Sequence, residues 1–125
     1  MKRIEISVGR GLKAVLKEFA GVARRVERGE TLPQAVPQLR FSSINQLFSA
    51  ITEKRLELIR HVAEHGSLNT RQLAQALGRD YKNVHTDVRD LCDYGLLRKD
   101  SRGRLSAPYD EIVIRADVRR AKKAA

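Results

Sequence analysis

Lys82, His85, Thr86 and Arg89 are spaced i, i+3, i+4 and i+7, so a helix would carry an ammonium, an imidazole, a hydroxyl and a guanidinium on one face. That set suits the major groove of double-stranded DNA. A guanidinium forks onto guanine, a lysine supplies charge, and short polar groups meet base edges or phosphate. Tyr81 and Asn83 open the same segment and join the candidate contacts. Val84, Val88 and Leu91, at i, i+4 and i+7, mark the side such a helix would bury. Asp87 and Asp90 fall off the cationic face, where they would not stand centrally against phosphate.

The elements that must hold this segment can be read on either side of it. Asp80 is placed to cap the helix and Gly95 to stop it. Upstream, Asn69 with Gln72 three residues on forms a capping-box pattern, Leu73, Ala76 and Leu77 point inward, and Gly78 closes a helix of two turns. A short helix, a three-residue turn and a longer helix make the helix-turn-helix pattern. Asn69, Thr70, Arg71, Gln72 and Arg79 form a second candidate set, with Arg71 and Gln72 at a helix start whose partial positive charge favours phosphate. Before them, Thr52 can cap a helix with the stripe Leu56, Ile59, Val62 and Ala63, ended by Gly66, and Ser67-Leu68 leaves room for a short extended piece. After Gly95, Leu96 to Lys99 and Arg104 to Ala107 read as two strands around a turn. Arg98, Lys99, Arg102 and Arg104 place four cations on that hairpin, suited to flanking phosphates or the minor groove.

The ends of the chain carry less chemistry. Ile4, Ile6 and Val8 alternate with polar neighbours as in a half-buried strand, which Gly9 and Gly11 interrupt. Leu12, Val15, Leu16, Phe19, Val22 and Val26 then form one face of a helix over 12–28, with Lys13, Lys17, Arg24, Arg25 and Arg28 outward as ordinary solvated charge and Gly29 as its stop. Thr31 to Arg40, with Pro33 and Pro37, reads as a connection. Ser43 opens a short helix expected to bury Ile44, Leu47, Phe48 and Ile51. Ile112 and Ile114, alternating with Val113 and Arg115 and continuing toward Val118, predict a final strand before the basic tail Arg119 to Ala125, which is expected to fray. The expected class is α+β: a strand-helix extension over 1–51 as a dimer or partner surface, a winged helix-turn-helix over 52–110, and a strand with a tail over 111–125.

Composition agrees with a nucleic-acid partner. The 125 residues include 25 Lys and Arg against 15 Asp and Glu, a net charge of +10, divided as +5 over residues 1–50 and +5 over 51–125. A basic surface binds polyanions and speeds encounter with them. No apolar run is long enough to span a membrane, and charges interrupt any signal-like start, so a cytoplasmic protein is expected. Cys92 is the single cysteine, read as a small semi-buried residue. His61 and His65 lie four apart without a third ligand or a glutamate in an HExxH arrangement, so no metal is expected. Gly9 and Gly11 lack the rest of a phosphate loop, and no nucleophile stands in a recognisable context. Neither an enzyme nor a cofactor is expected.

Thr52 to Asp110 resembles the winged helix-turn-helix of MarR-like transcriptional regulators. The stretch from Leu77 to Val88, with Gly95-Leu96-Leu97 and Pro108-Tyr109-Asp110, is similar to a group of small bacterial and archaeal DNA-binding proteins regarded as antitoxin-like regulators beside a toxin of the TumE type. The resemblance implies that Tyr81 to Tyr94 is a recognition helix and Leu96 to Ala107 a wing. The terminal strands depart from the long dimerising helices of MarR-like proteins. The expectation is a dimeric, sequence-specific double-stranded-DNA-binding regulator, acting as a repressor of its own promoter on half-sites about 10 bp apart. The other readings are an antitoxin-like module that neutralises a small toxin through its N-terminal region, and a non-specific nucleic-acid binder.

Overall fold

The computed structural model describes residues 1–9, 12–30 and 36–116. It is an α+β structure with the order β1 (Arg3–Val8), α1 (Leu12–Glu27), β2 (Gln38–Phe41), α2 (Ile44–Ala50), α3 (Glu53–His65), α4 (Thr70–Leu77), α5 (Tyr81–Asp93), β3 (Arg98–Lys99), β4 (Leu105–Ser106) and β5 (Glu111–Ala116). None of the described helices is long and apolar enough to cross a membrane. The side chains of Leu12 and Val15, the stretch Thr31 to Ala35 of the expected connection, and the chain from Asp117, including Val118 and the basic tail, lie outside the described residues.

Two compact units divide the chain: Met1–Lys2 with Leu47–Glu111, and Arg3–Gln46 with the residues from Ile112. In the second, a three-stranded sheet has the order β2-β1-β5. β1 and β2 run parallel, with Ile6 beside Leu39 and Val8 beside Phe41, so the apolar residues of both strands share one face. A parallel pair requires a crossover, and α1 lies within it. β2 corrects the reading of Thr31 to Arg40 as connection alone: the Pro37 carbonyl accepts the Glu5 N–H at 3.0 Å and the strand begins at the next residue. Its four residues and the preceding proline hid it, since proline is tolerated just before an edge strand, where its missing N–H costs nothing.

α1 forms where its 3.6-residue period predicts, and Gly29 stops it at φ 73°. The face expected to be buried is open. Leu16, Phe19, Val22 and Val26 are 59, 76, 46 and 56 % exposed. In α2, Leu47, Ala50 and the following Ile51 are buried, but Ile44 and Phe48, expected inside, are exposed. Its N-cap is as expected, with Ser43 Oγ accepting the Gln46 N–H at 3.1 Å.

The first unit is built around α3, α4 and α5. Thr52 Oγ1 accepts the Arg55 N–H at 3.2 Å and opens α3. Asn69 and Gln72 form a reciprocal capping box at 2.8 and 3.0 Å, and Asp80 caps α5. Gly78 ends α4 in the left-handed conformation at φ 63°, which lets the chain turn into α5 within three residues. Val84, Val88 and Leu91 of α5 are fully buried, as their spacing requires. Two other stripes are rotated from the expected ones. α3 buries Arg55, Leu58, Ile59 and Val62, leaving Leu56 half-buried and Ala63 exposed. α4 buries Thr70, Leu73 and Ala74, leaving Leu77 half-buried and Ala76 exposed. In both helices a polar residue at the first position of an i, i+3, i+4 pattern disguised the stripe. β3 and β4 pair antiparallel, with Arg98 beside Ser106 and Lys99 beside Leu105. The Leu105 N–H also donates to the Leu68 carbonyl at 2.8 Å, so the extended residues before α4 reach the hairpin.

Loss of the Asn69 cap in Asn69→Ala is expected to lower stability by about 1 kcal/mol, because the Gln72 N–H loses its acceptor. Gly78→Ala, forced to φ 63°, is expected to cost about 1 kcal/mol as well. Urea midpoints of the two variants equal to that of the natural chain would contradict these assignments.

Candidate nucleic-acid interface

The burial of Val84, Val88 and Leu91 decides which way every other residue of α5 faces. Tyr81, Lys82, Asn83, His85, Thr86 and Arg89 are all exposed. The structure therefore exposes the whole predicted α5 set, with Lys82, His85, Thr86 and Arg89 opposite the buried stripe. Thr86 Oγ1 donates back to the Lys82 carbonyl at 3.1 Å, which leaves its methyl and its acceptor capacity outward. Arg89, with a side chain 62 % exposed, keeps Nε 3.5 Å from Asp90 Oδ1. Tyr81 links the starts of the two helices: the Arg71 guanidinium lies 4.7 Å from its ring centroid, and the His85 ring 5.8 Å away. Such a cation–π contact leaves the edge of the guanidinium able to donate.

The second predicted set divides. Arg71 is exposed at the first turn of α4, and Asn69 and Gln72 use their amide oxygens in the capping box while their NH₂ groups remain donors at the surface. Thr70 is buried, 6 % exposed, and its Oγ1 has no hydrogen-bond partner in the protein, so it belongs to the interior and not to the surface. Arg79 is also drawn inward. Its Nη2 donates to Asp87 Oδ2 at 2.7 Å, and its Nη1 is buried without a partner in the protein. On the hairpin, Arg98, Lys99, Arg102 and Arg104 are exposed. Asp100 organises the turn that presents them, its Oδ1 accepting the N–H groups of Arg102 at 2.8 Å and Arg104 at 2.9 Å.

Sequence reasoning missed Arg55. This residue of α3 is 8 % exposed, and burial opposes its charge. The hydrogen bonds and charges of Asp87 and Asp90 outweigh that penalty and hold its pKa above the ordinary arginine value. Two signals were present: an arginine three residues before Leu58 on the buried stripe, and two aspartates on the flank of α5 in want of partners.

A family model, HVO_A0114, matches residues 50–114. The chain belongs to the HVO_A0114 family. No curated protein and no solved structure matches it. The part shared with the HVO_A0114 family runs from the end of α2 into β5. It therefore contains both helices of the candidate interface, the basic hairpin, and Arg55 with its two aspartates.

His61 and His65 stack with ring centroids 4.1 Å apart, and His65 Nδ1 lies 3.1 Å from the His61 carbonyl. Cys92 is half-buried, as its place on α5 suggested. Burial raises its thiol pKa and the Asp93 charge adds to this, against an opposing effect of Lys99. A raised pKa leaves less thiolate at neutral pH and slows nucleophilic chemistry. Alkylation of Cys92 by iodoacetamide in the folded protein is expected to reach its half-maximal rate at higher pH than in the urea-unfolded chain. A folded-state midpoint below the unfolded one would refute this.

Proposed function

We propose that this protein is a sequence-specific double-stranded-DNA-binding regulator whose α3 to β4 region is a winged helix-turn-helix of MarR-like type. The observation that carries the reading is the exposed face of α5, where Lys82, His85, Thr86 and Arg89 stand together while the opposite stripe packs inward. A two-turn helix and a three-residue turn precede that face, and a hairpin with four exposed cations follows it. α5 enters the major groove and reads bases with Lys82, His85, Thr86 and Arg89, with Tyr81 and Asn83 at its start. Arg71 and the amides of Asn69 and Gln72 hold phosphate at the start of α4, where the helix end favours an anion. Arg98, Lys99, Arg102 and Arg104 hold the flanking backbone. Occlusion of a promoter in the cytoplasm, its own in the simplest case, makes it a repressor. No catalytic step and no cofactor enters this mechanism.

A two-fold operator needs two readers, and α1 offers the surface to join them. Leu16, Phe19, Val22 and Val26 form an open stripe in which residues 19, 22 and 26 follow the 3,4 spacing of a helix-pairing seam. Their exposed surface is on the order of 400 Å², within the range of the largest apolar patch on a typical monomer, which is often functional. A second copy across a two-fold axis would cover on the order of 800 Å² in all, below a standard interface, which fits a reversible dimer completed on DNA. The antitoxin reading places a small toxin on the same stripe.

Sequencing of duplexes selected from a random pool at physiological salt is expected to return an inverted repeat. Retention that tracks charge with no enriched sequence would instead make the protein a non-specific binder. On the selected site, Arg89→Ala is expected to cost about 1 to 3 kcal/mol and relax one base position, whereas Arg102→Ala weakens all sequences alike and lowers the salt slope by about one. Equal losses on selected and scrambled DNA for Arg89→Ala would refute the base-reading role. Light scattering is expected to show a concentration-dependent dimer for the natural chain and a monomer for Phe19→Glu. A natural chain that stays monomeric throughout would remove the second copy from α1, and co-purification of a small protein lost in Phe19→Glu would give the stripe to that partner.

A further inference from the structure

Asp87 and Asp90 sit on α5 itself, between the buried stripe and the exposed cationic face. Two open carboxylates there would oppose any polyanion that approached. Instead, each is closed by a fixed donor. Arg55 Nε donates to Asp87 Oδ1 at 3.0 Å and Nη2 to Asp90 Oδ2 at 2.7 Å, while Nη1 donates to the Ala50 carbonyl at 3.0 Å. All three nitrogens of one planar group are thus occupied, by acceptors one turn apart on α5 and by the last carbonyl of α2. Arg79, from the turn between α4 and α5, takes the second oxygen of Asp87 at 2.7 Å. The two arginines and two aspartates cancel in charge.

A guanidinium that meets three acceptors in one plane defines an orientation, because each bond weakens steeply when its angle changes. The clamp also reaches the open face. Asp90 accepts from Arg55 with Oδ2 and lies 3.5 Å from Arg89 Nε with Oδ1, while the Arg89 side chain stays 62 % exposed. One carboxylate therefore connects the buried arginine of α3 to the exposed arginine of α5.

We propose that Arg55 is a positioning residue for DNA recognition: it sets the angle of α5 through Asp87 and Asp90, Asp90 steers Arg89, and Arg79 serves the same clamp in place of a DNA contact. The proposal rests on the DNA-binding reading above, and it separates geometry from charge. Arg55→Lys keeps the positive charge but brings a single nitrogen where three are needed.

The test compares Arg55→Lys with the natural chain on the selected duplex and on a scrambled one across a salt series, with backbone dipolar couplings of the free proteins recorded by NMR. In Arg55→Lys, affinity for the selected duplex is expected to fall about tenfold. Affinity for scrambled DNA should stay within about twofold and the salt slope should be unchanged, because no phosphate contact is lost. The couplings are expected to show α5 reoriented against α3 in a folded protein. A folded Arg55→Lys chain with α5 in its natural orientation overturns the clamp whatever the DNA results, and so does a reoriented α5 with undiminished discrimination. A natural chain that does not prefer the selected duplex overturns the DNA reading itself, and with it the role in recognition. Should Arg55→Lys fail to fold, Asp90→Asn is read by the same couplings and duplexes: α5 reoriented against α3 with discrimination lost supports the clamp, and a natural orientation or unchanged discrimination overturns it.

Discussion

A guanidinium taken out of water must be met by acceptors in the right places, and the Arg55 side chain in the middle of the first unit imposes that constraint on everything around it. Removing one partner from a buried charge pair costs about 3 to 5 kcal/mol, so the elements carrying those partners cannot shift independently. The end of α2 supplies a carbonyl, α5 supplies two carboxylates, and α3 supplies the cation. Apolar packing through Leu58, Val62, Leu73, Val84, Val88 and Leu91 provides most of the cohesion, but such contacts are non-directional. The ion pairs add what packing lacks, a defined angle between helices.

The same interaction sorts the charges of α5. Asp87 and Asp90 face arginines of the same chain, while Lys82 and Arg89 face outward with His85 and Thr86. A helix that is nearly balanced in sequence thus presents a cationic surface in the fold. A net charge of +10 says only that a polyanion is welcome. The pairing of Asp87 and Asp90 with Arg55 and Arg79 turns that general attraction into a local one, beside a hairpin whose turn is held by Asp100.

Where local chemistry sufficed, the sequence was readable. The caps Thr52, Asn69 and Asp80, the stop at Gly78, the stripe Val84, Val88 and Leu91 and the hairpin each declare themselves within a few residues. Where a long-range partner decided the outcome, it was not. Arg55 and Thr70 look like surface residues until their surroundings are known, and treating them so turned the apparent stripes of α3 and α4 toward Ala63 and Ala76. Arg79 looked like a phosphate contact because Asp87, eight residues away, could not be assigned to it from spacing. β2 is visible only beside β1, since four residues carry too little periodicity of their own.

The open stripe of α1 belongs to the same lesson in reverse. Its period is that of a core-facing helix, and periodicity reports only that an apolar face wants cover, not which molecule provides it. In the first unit the chain covers the inner stripes of α3, α4 and α5, while Leu16, Phe19, Val22 and Val26 remain open in the second. An apolar seam of that kind is unfavourable in water by an amount that grows with its area, so the surface that could join two copies is also the one that would suffer most from remaining single. Under the proposed DNA-binding function, that tendency and the reading of bases would reinforce each other on a two-fold operator. If the proposed function holds, each α5 on a half-site would raise the local concentration of the other α1 stripe, so that a weak protein contact would suffice.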